Sequence, residues 1–367
     1  MTPTDRRSFV YLGWQGHANF GDDLLHETWR AALDDPLAIE APLNARDYLR
    51  GAAAFARDRL RTRRSERVVL IGGGTTVGFA AWAEHARLAA RNYGAAGIVG
   101  VGLGAAAGSD TYALDRHQQD WAAWHDLDRL RIAGVRGPIT ELEVTTHLGP
   151  VTISGDPALL YPLVRPVQPA GAVGERRIGV SLGSDPTSRF DVDTVATAVD
   201  AHARATGVDQ VVAFALSVPD QEVARALSKR LRTPSVVHEY TDVAETMSVI
   251  AGCELVVSER LHGAVAAVSL DVPTVPLSYA SKCDDFWASL TGHPAPITVG
   301  HTADDLVHAM QQADVVRSEI TGAVFAQQER LADIRRELTD WRRGARSTAD
   351  LLTPTAAAAP AAGVEPA

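Results

Sequence analysis

The chain has 367 residues, 46% hydrophobic and 22% charged, a soluble globular composition long enough for about two domains. A net charge of −10 argues against a dedicated nucleic-acid binder, which presents a basic face, yet leaves room for a local cationic pocket. Two cysteines, Cys253 and Cys283, are too few for a disulfide framework or a cysteine-based zinc site.

From the amino terminus the pattern is strand, loop, helix, repeated. SFVYLGW (8–14) reads as a strand and DDLLHETWRAAL (22–33) as a helix. A further helix is expected over 48–64. RVVLIGGGTT (67–76) is a continuous apolar run ending in glycines, as in a strand buried on both faces. Helix 79–94, strand 97–104, helix 116–130, strand 131–137 and a helix with proline first (138–148) follow. VTISGDPALLY (151–161) closes this half. A Pro- and Gly-rich stretch (165–177) is the expected linker. The alternation then restarts, and after about Ala303 the chain reads as helical.

The predicted architecture is α/β: two Rossmann-like domains with parallel sheets facing across a cleft. The expected boundaries are 1–165, 166–310, a long amphipathic helix at 311–346 and a low-complexity, disordered tail at 347–367. There is no signal-peptide pattern and no run of about 18–20 apolar residues. The expected location is cytoplasmic, free or peripheral at the inner face of the membrane.

Ligands of such sheets bind beyond the carboxyl ends of the strands, so the strand-end loops carry the candidates. GHANFGDDLL (16–25) offers Asn19, Asp22 and Asp23 at a helix start, where free N–H groups attract anions; Asp22 acting as a helix cap is the plainer reading. IGGGTT (71–76) brings Gly73 and Gly74 close to a ligand but lacks the Gly-Lys-Ser/Thr of a Walker A loop. GVGLGAAAG (100–108) approaches a dinucleotide fingerprint on the wrong strand, with no acidic strand end about 20 residues on, so NAD is rejected. Arg136, in GVRGPIT (134–140), stands where a guanidinium can grip a carboxylate or phosphate. In SGDPALL (154–160), Asp156 reads as shaping the turn before Pro157.

The most telling stretch is LVVSERLHGAVAAVSL (255–270). It begins as a buried strand and ends as a small-residue helix, with Glu259, Arg260 and His262 at the junction. Arg260 supplies fixed positive charge, and His262 a proton that exchanges near neutrality. Together they read as an anion site with an acid beside it. Tyr279 and Lys282, one strand later, add to the rim. Glu259 has no explanation at this level.

These motifs, in this order over residues 10–286, resemble the polysaccharide pyruvyl transferases. GHANFGDD, IGGGT, GVGLG, VRGPIT, SGDPALL, SERLHGAVAA and VPTVPLSYASKCDDF carry the likeness; the long helix and the tail lie outside it. The resemblance implies a GT-B-like fold and transfer of the enolpyruvyl unit of phosphoenolpyruvate to a sugar diol, giving a pyruvate ketal and phosphate. It places phosphoenolpyruvate on Arg260, Leu261 and His262, with Arg136 as second arginine and Gly73 and Gly74 beside them. His262 is then the acid, and Asp22 or Asp23 handles the acceptor hydroxyl. Asn19, Tyr279 and Lys282 are the expected acceptor contacts. The expected partners are phosphoenolpyruvate and a saccharide, free or lipid-linked, with no cofactor, metal or nucleic acid; self-association stays open. Two rivals stand beside it: a GT-B glycosyltransferase using a nucleotide sugar, and a catalytically silent sugar-binding relative.

Overall fold

The computed structural model describes residues 7–33, 39–44, 46–50, 66–185 and 190–353. The first sheet runs β2-β1-β3-β4-β5, from β1 (Ser8–Leu12), β2 (Ile39–Glu40), β3 (Arg67–Ile71), β4 (Ile98–Leu103) and β5 (Leu130–Val135). The second runs β11-β10-β9-β6-β7-β8, from β6 (Arg177–Ser181), β7 (Gln210–Ala215), β8 (Ser235–Glu239), β9 (Leu255–Ser258), β10 (Thr274–Ser278) and β11 (Ile297–Thr298). Every strand pairing is parallel. Strands β3, β4, β6 and β9 are buried along their length, which is why they read as unbroken apolar runs. The two-domain α/β architecture expected from the alternation is the one observed.

The carboxyl ends of the two sheets meet. The Phe20 N–H donates to the Leu216 carbonyl (2.9 Å), the Ser281 N–H to the Asp110 carboxylate (2.9 Å) and the Tyr240 hydroxyl to Asp23 (2.7 Å). One hydrophobic cluster, including Phe20, Leu24, Leu159, Leu216, Val265 and Phe286, runs across both domains. The joint is therefore a packed core, and the space left within it is small and fixed in shape.

The carboxyl-terminal helix is longer than expected. It runs unbroken from Ala303 to Arg342, its start held by a reciprocal cap between Thr302 and Asp305. At about 1.5 Å per residue it reaches across both domains. Leu306 and Met310 pack in the core of the second domain, whereas Leu338 and Trp341 pack against the first; the Trp341 ring lies 4.8 Å from Phe9. Arg335 and Arg342 donate to the carbonyls of Ala32 and Leu33 at the end of the helix Phe20–Ala32.

Two other expectations change. Residues 116–130 hold a helix only over Trp121–His125, because Asp120 caps a new start there and Leu130 already enters β5. Residues 347–353 are not a disordered tail: Thr348–Leu352 is a helix capped by Ser347, with Leu351 fully buried. The helix expected over 48–64 falls mostly outside the described residues, as does the tail beyond 353. Among the described residues no helix is long and apolar enough to cross a membrane.

Candidate active site

A cavity of about 270 Å³ lies at the joint of the two sheets, just below the roughly 300–1,000 Å³ usual for ligand sites. Its walls come from the carboxyl-terminal loops of both. The first domain contributes Asn19, Asp22, Gly74 and Arg136; the second contributes Arg260, Leu261, His262, Tyr279 and Lys282. Asn19 and Lys282, 263 positions apart in the chain, thus converge, as the crossover topology requires. Of the sequence candidates, Gly73 and Asp23 stand apart from this wall. Gly73 lies behind it, facing Leu25 and Pro157. Asp23 accepts from the Gly16 N–H (2.6 Å) and the Tyr240 hydroxyl (2.7 Å), clamping a loop to the opposite domain.

The helix Phe20–Ala32 is capped by Asn19, whose Oδ1 accepts from the Gly21 N–H (3.0 Å). That leaves Asp22 free of the capping duty. Among the described residues its carboxylate has no hydrogen bond or ion pair, and burial pushes it up to about 6 against the pull of His262 and Lys282. Asp22 is therefore half-protonated near pH 6, a property suited to accepting a proton near neutrality.

Arg116 borders the cavity but is paired with Asp185 (2.7 Å); three other cations enter it. Arg136 is fully buried, on the turn between β5 and the helix Pro138–His147. Its Nε donates to Asp285 (3.3 Å) and its Nη2 to the Thr75 hydroxyl (3.3 Å), while Nη1 has no partner among the described residues. Gly104 is the reason it fits: a Cβ there would lie 2.3 Å from Nη2. Part of the glycine pattern that mimics a dinucleotide loop thus serves an arginine. Arg260 makes a two-point pair with Asp220, which is completely buried. Lys282 has no carboxylate within ion-pair distance among the described residues; its ammonium lies 4.9 Å from the Tyr279 ring and 5.7 Å from the Tyr112 ring. Burial lowers its pKa, and Arg260 and Arg136 add to that. A buried guanidinium nitrogen without a partner and an unpaired ammonium in one cavity form a place for an anion.

His262 stands at the start of the helix Leu261–Ser269, which no side chain caps, so its first N–H groups are open to the cavity. Leu261 turns its side chain into the shared core, which anchors this start. The imidazole lies against Gly21, where a Cβ would be 2.2 Å from Nδ1. On the other side Nε2 faces the Oδ2 of fully buried Asp156 at 3.6 Å, and neither atom has another partner among the described residues. That separation is ion-pair range, longer than a hydrogen bond. Burial by itself raises the Asp156 carboxyl, but His262, Arg136 and the Ala158 N–H together hold it below the ordinary carboxylate range. Asp156 is thus an anion directed at the imidazole, and it orients one ring nitrogen while the other faces Gly21.

Glu259 points away from all this. It is buried, accepts from the Gly183 N–H (2.6 Å), and burial pushes its pKa up to about 7.

Sequence reasoning missed Asp220, Asp285 and the His262 partnership of Asp156. Asp220 precedes a helix, Asp156 precedes a proline and Asp285 lies inside a helix, so each reads locally as ordinary.

The profile of the family described as polysaccharide pyruvyl transferase matches residues 19–281. No curated protein matches the chain. Among solved structures it is similar to a protein assigned as a UDP-N-acetylglucosamine 2-epimerase from Listeria monocytogenes, with 11% identity, a TM-score of 0.63, and coverage of 96% of this chain and 99% of that one. It is also similar to the UDP-GlcNAc 2-epimerase of Neisseria meningitidis bound to UDP-GlcNAc, with 10% identity, a TM-score of 0.57, and coverage of 90% and 99%. At such identities the likeness concerns the fold, two facing α/β domains of GT-B type, and not the chemistry.

Proposed function

The chain belongs to the polysaccharide pyruvyl transferase family, and we propose that it transfers the pyruvyl unit of phosphoenolpyruvate to a sugar diol as a cyclic ketal, releasing phosphate. The observation that carries this reading is the single cavity in which Arg136, Arg260 and Lys282 stand around His262 and its buried carboxylate. Phosphoenolpyruvate has two anionic groups, so more than one cation is needed to hold it. Arg136 and Lys282, with unsatisfied donors, are its strongest contacts; Arg260, already paired with Asp220, contributes a fixed field.

His262 gives a proton to the methylene carbon, turning it into a methyl group and leaving an oxocarbenium-like centre at the neighbouring carbon. One sugar hydroxyl attacks that centre and Asp22 takes its proton. The carbon–oxygen bond to phosphate then breaks, the cations stabilising the leaving group, and the second hydroxyl closes the ring. Of the two diol protons, the net balance places one on the methyl carbon and one on phosphate.

The test is phosphate release from phosphoenolpyruvate with galactosides, mannosides and glucosides as acceptors. Release with at least one supports the reading. No release with any, accompanied by hydrolysis of a nucleotide sugar, would favour a glycosyltransferase.

Two further results are expected. Because Asp22 must be deprotonated to act, kcat/KM for the acceptor should fall about tenfold per pH unit below about 6. Asp22→Asn should be slow and lose this limb; a limb unchanged in that variant would exclude Asp22 as its source. Gly21→Ala should lower kcat by about a hundredfold, the order of loss expected when a reacting group is displaced by about 1 Å, because the added methyl must push the imidazole aside. A Gly21→Ala enzyme with wild-type kcat and unchanged thermal stability would show that the imidazole position is not critical.

A further inference from the structure

A second cavity, of about 520 Å³, adjoins the first on the side of the first domain. The two share Asp22, Gly74, Thr75, Phe79, Arg116 and His117 as a common wall. Their linings differ in chemistry. The first alone holds Arg136, Arg260 and Lys282. The second is lined by Tyr11, Trp14, Thr76, Trp82 and His85, with Asp22 at its inner end. Arg116, in the wall the two cavities share, has its charge matched by Asp185 at 2.7 Å.

Several features mark this second cavity as built for a ligand. Trp14 is 45% exposed, the one tryptophan among the exposed large hydrophobic residues of the described chain. One of its faces stacks on His17, with centroids 4.4 Å apart and planes at 25°, which fixes the ring as a platform. Trp82 stands edge-on to His85. Thr76 is only 3% exposed, yet among the described residues its hydroxyl has no partner, and the Nδ1 of His85 is likewise buried and unpaired. Buried polar atoms without partners are costly unless something completes them. Rigid aromatic surface with a few unsatisfied polar atoms is what a pyranose requires, since it presents an apolar C–H face and a rim of hydroxyls.

We propose that this aromatic cavity, rather than the rim at Tyr279 and Lys282, is the acceptor subsite, and that it holds a neutral pyranoside between Trp14 and Trp82 with its diol directed past Asp22 into the cationic cavity. The assignment rests on the pyruvyl-transfer reading for the role of the sugar, but not for its binding. Thr76 and His85 hold hydroxyls of the ring, and Asp22 stands where the acceptor meets the donor. Tyr279 and Lys282 then belong to the anion side.

The experiment is saturation-transfer NMR with methyl β-D-galactopyranoside, methyl α-D-mannopyranoside and methyl β-D-glucopyranoside, on the full chain with and without phosphoenolpyruvate. At least one glycoside should bind. Trp14→Ala and Trp82→Ala should each weaken it by about tenfold, and Thr76→Val should weaken it with no loss of thermal stability. Phosphoenolpyruvate affinity by calorimetry should stay within about twofold in all three. Binding of no glycoside by the wild type, or binding unaltered in both tryptophan variants, would overturn the subsite. Glycoside binding without phosphate release would overturn the pyruvyl-transfer reading while leaving the subsite in place. Phosphate release with acceptor KM unchanged in the variants would do the reverse.

Discussion

Replacing His262 by alanine is expected to lower kcat by about 10²–10⁴-fold while phosphoenolpyruvate binding stays measurable. The reason is the division of labour in the cavity. Arg136, Arg260 and Lys282 supply charge that does not depend on the imidazole, so the anion keeps its main contacts. Of the proton donors lining the cavity, which include His117 and Lys282, His262 is the one with a buried carboxylate directed at its ring, while Asp22 is needed on the acceptor side. Asp156→Asn gives the companion result. It keeps the shape but removes the charge directed at the imidazole, so kcat should fall to a value between those of the wild type and the alanine variant, with KM for phosphoenolpyruvate little changed. A purely structural Asp156 would instead lower thermal stability and leave the kcat of the folded enzyme intact. Full turnover by His262→Ala would remove the acid role altogether.

That pairing also shows how far the sequence can be read. The alternation of apolar runs and helical stretches is local information, and it yields the two parallel sheets and the strand ends where the site lies. His262, Arg260 and Arg136 are legible for the same reason: charged residues at the carboxyl ends of buried strands have few structural uses. Their partners are a different matter. Asp220 is 40 residues from Arg260, and Asp285 is 149 residues from Arg136. Each carboxylate stands in a context where Asp is common, and only the crossover topology brings it to its guanidinium. Asp156 has two roles at once. One oxygen accepts from the Ala158 N–H (3.0 Å), the turn-forming role that its place before Pro157 suggests, and the other faces His262. The first role hides the second. Glu259, a puzzle in the sequence, is resolved by a backbone N–H from the adjoining strand-end loop, a contact no local pattern encodes. The long helix was read correctly as helix but not as a brace. Its apolar positions do not reveal that Leu306 and Trp341 pack in different domains.

The second large effect concerns Arg136 and Asp285. Both side chains are wholly buried, and Asp285 also accepts from the N–H and hydroxyl of Thr140, at 3.0 and 2.7 Å. Arg136→Met leaves that carboxylate buried without its cation, which should cost about 3–5 kcal/mol of stability. It should also weaken phosphoenolpyruvate binding by about 2–5 kcal/mol, more than about thirtyfold in Kd, because the unpaired Nη1 is lost from the anion site. A single substitution cannot separate these effects, since an unstable protein also binds poorly. Asp285→Asn combined with Arg136→Met does. In the double variant neither charge is stranded, so thermal unfolding should return most of the way towards the wild type. If Arg136 holds the substrate, binding measured by calorimetry stays weak although the fold has recovered. If Arg136 only balances Asp285 across the domain joint, stability and affinity recover together, and the anion must be held by Lys282 and Arg260 alone. The unpaired nitrogen favours the first outcome: a guanidinium kept only to neutralise one carboxylate has no need of a buried donor without a partner beside a cavity.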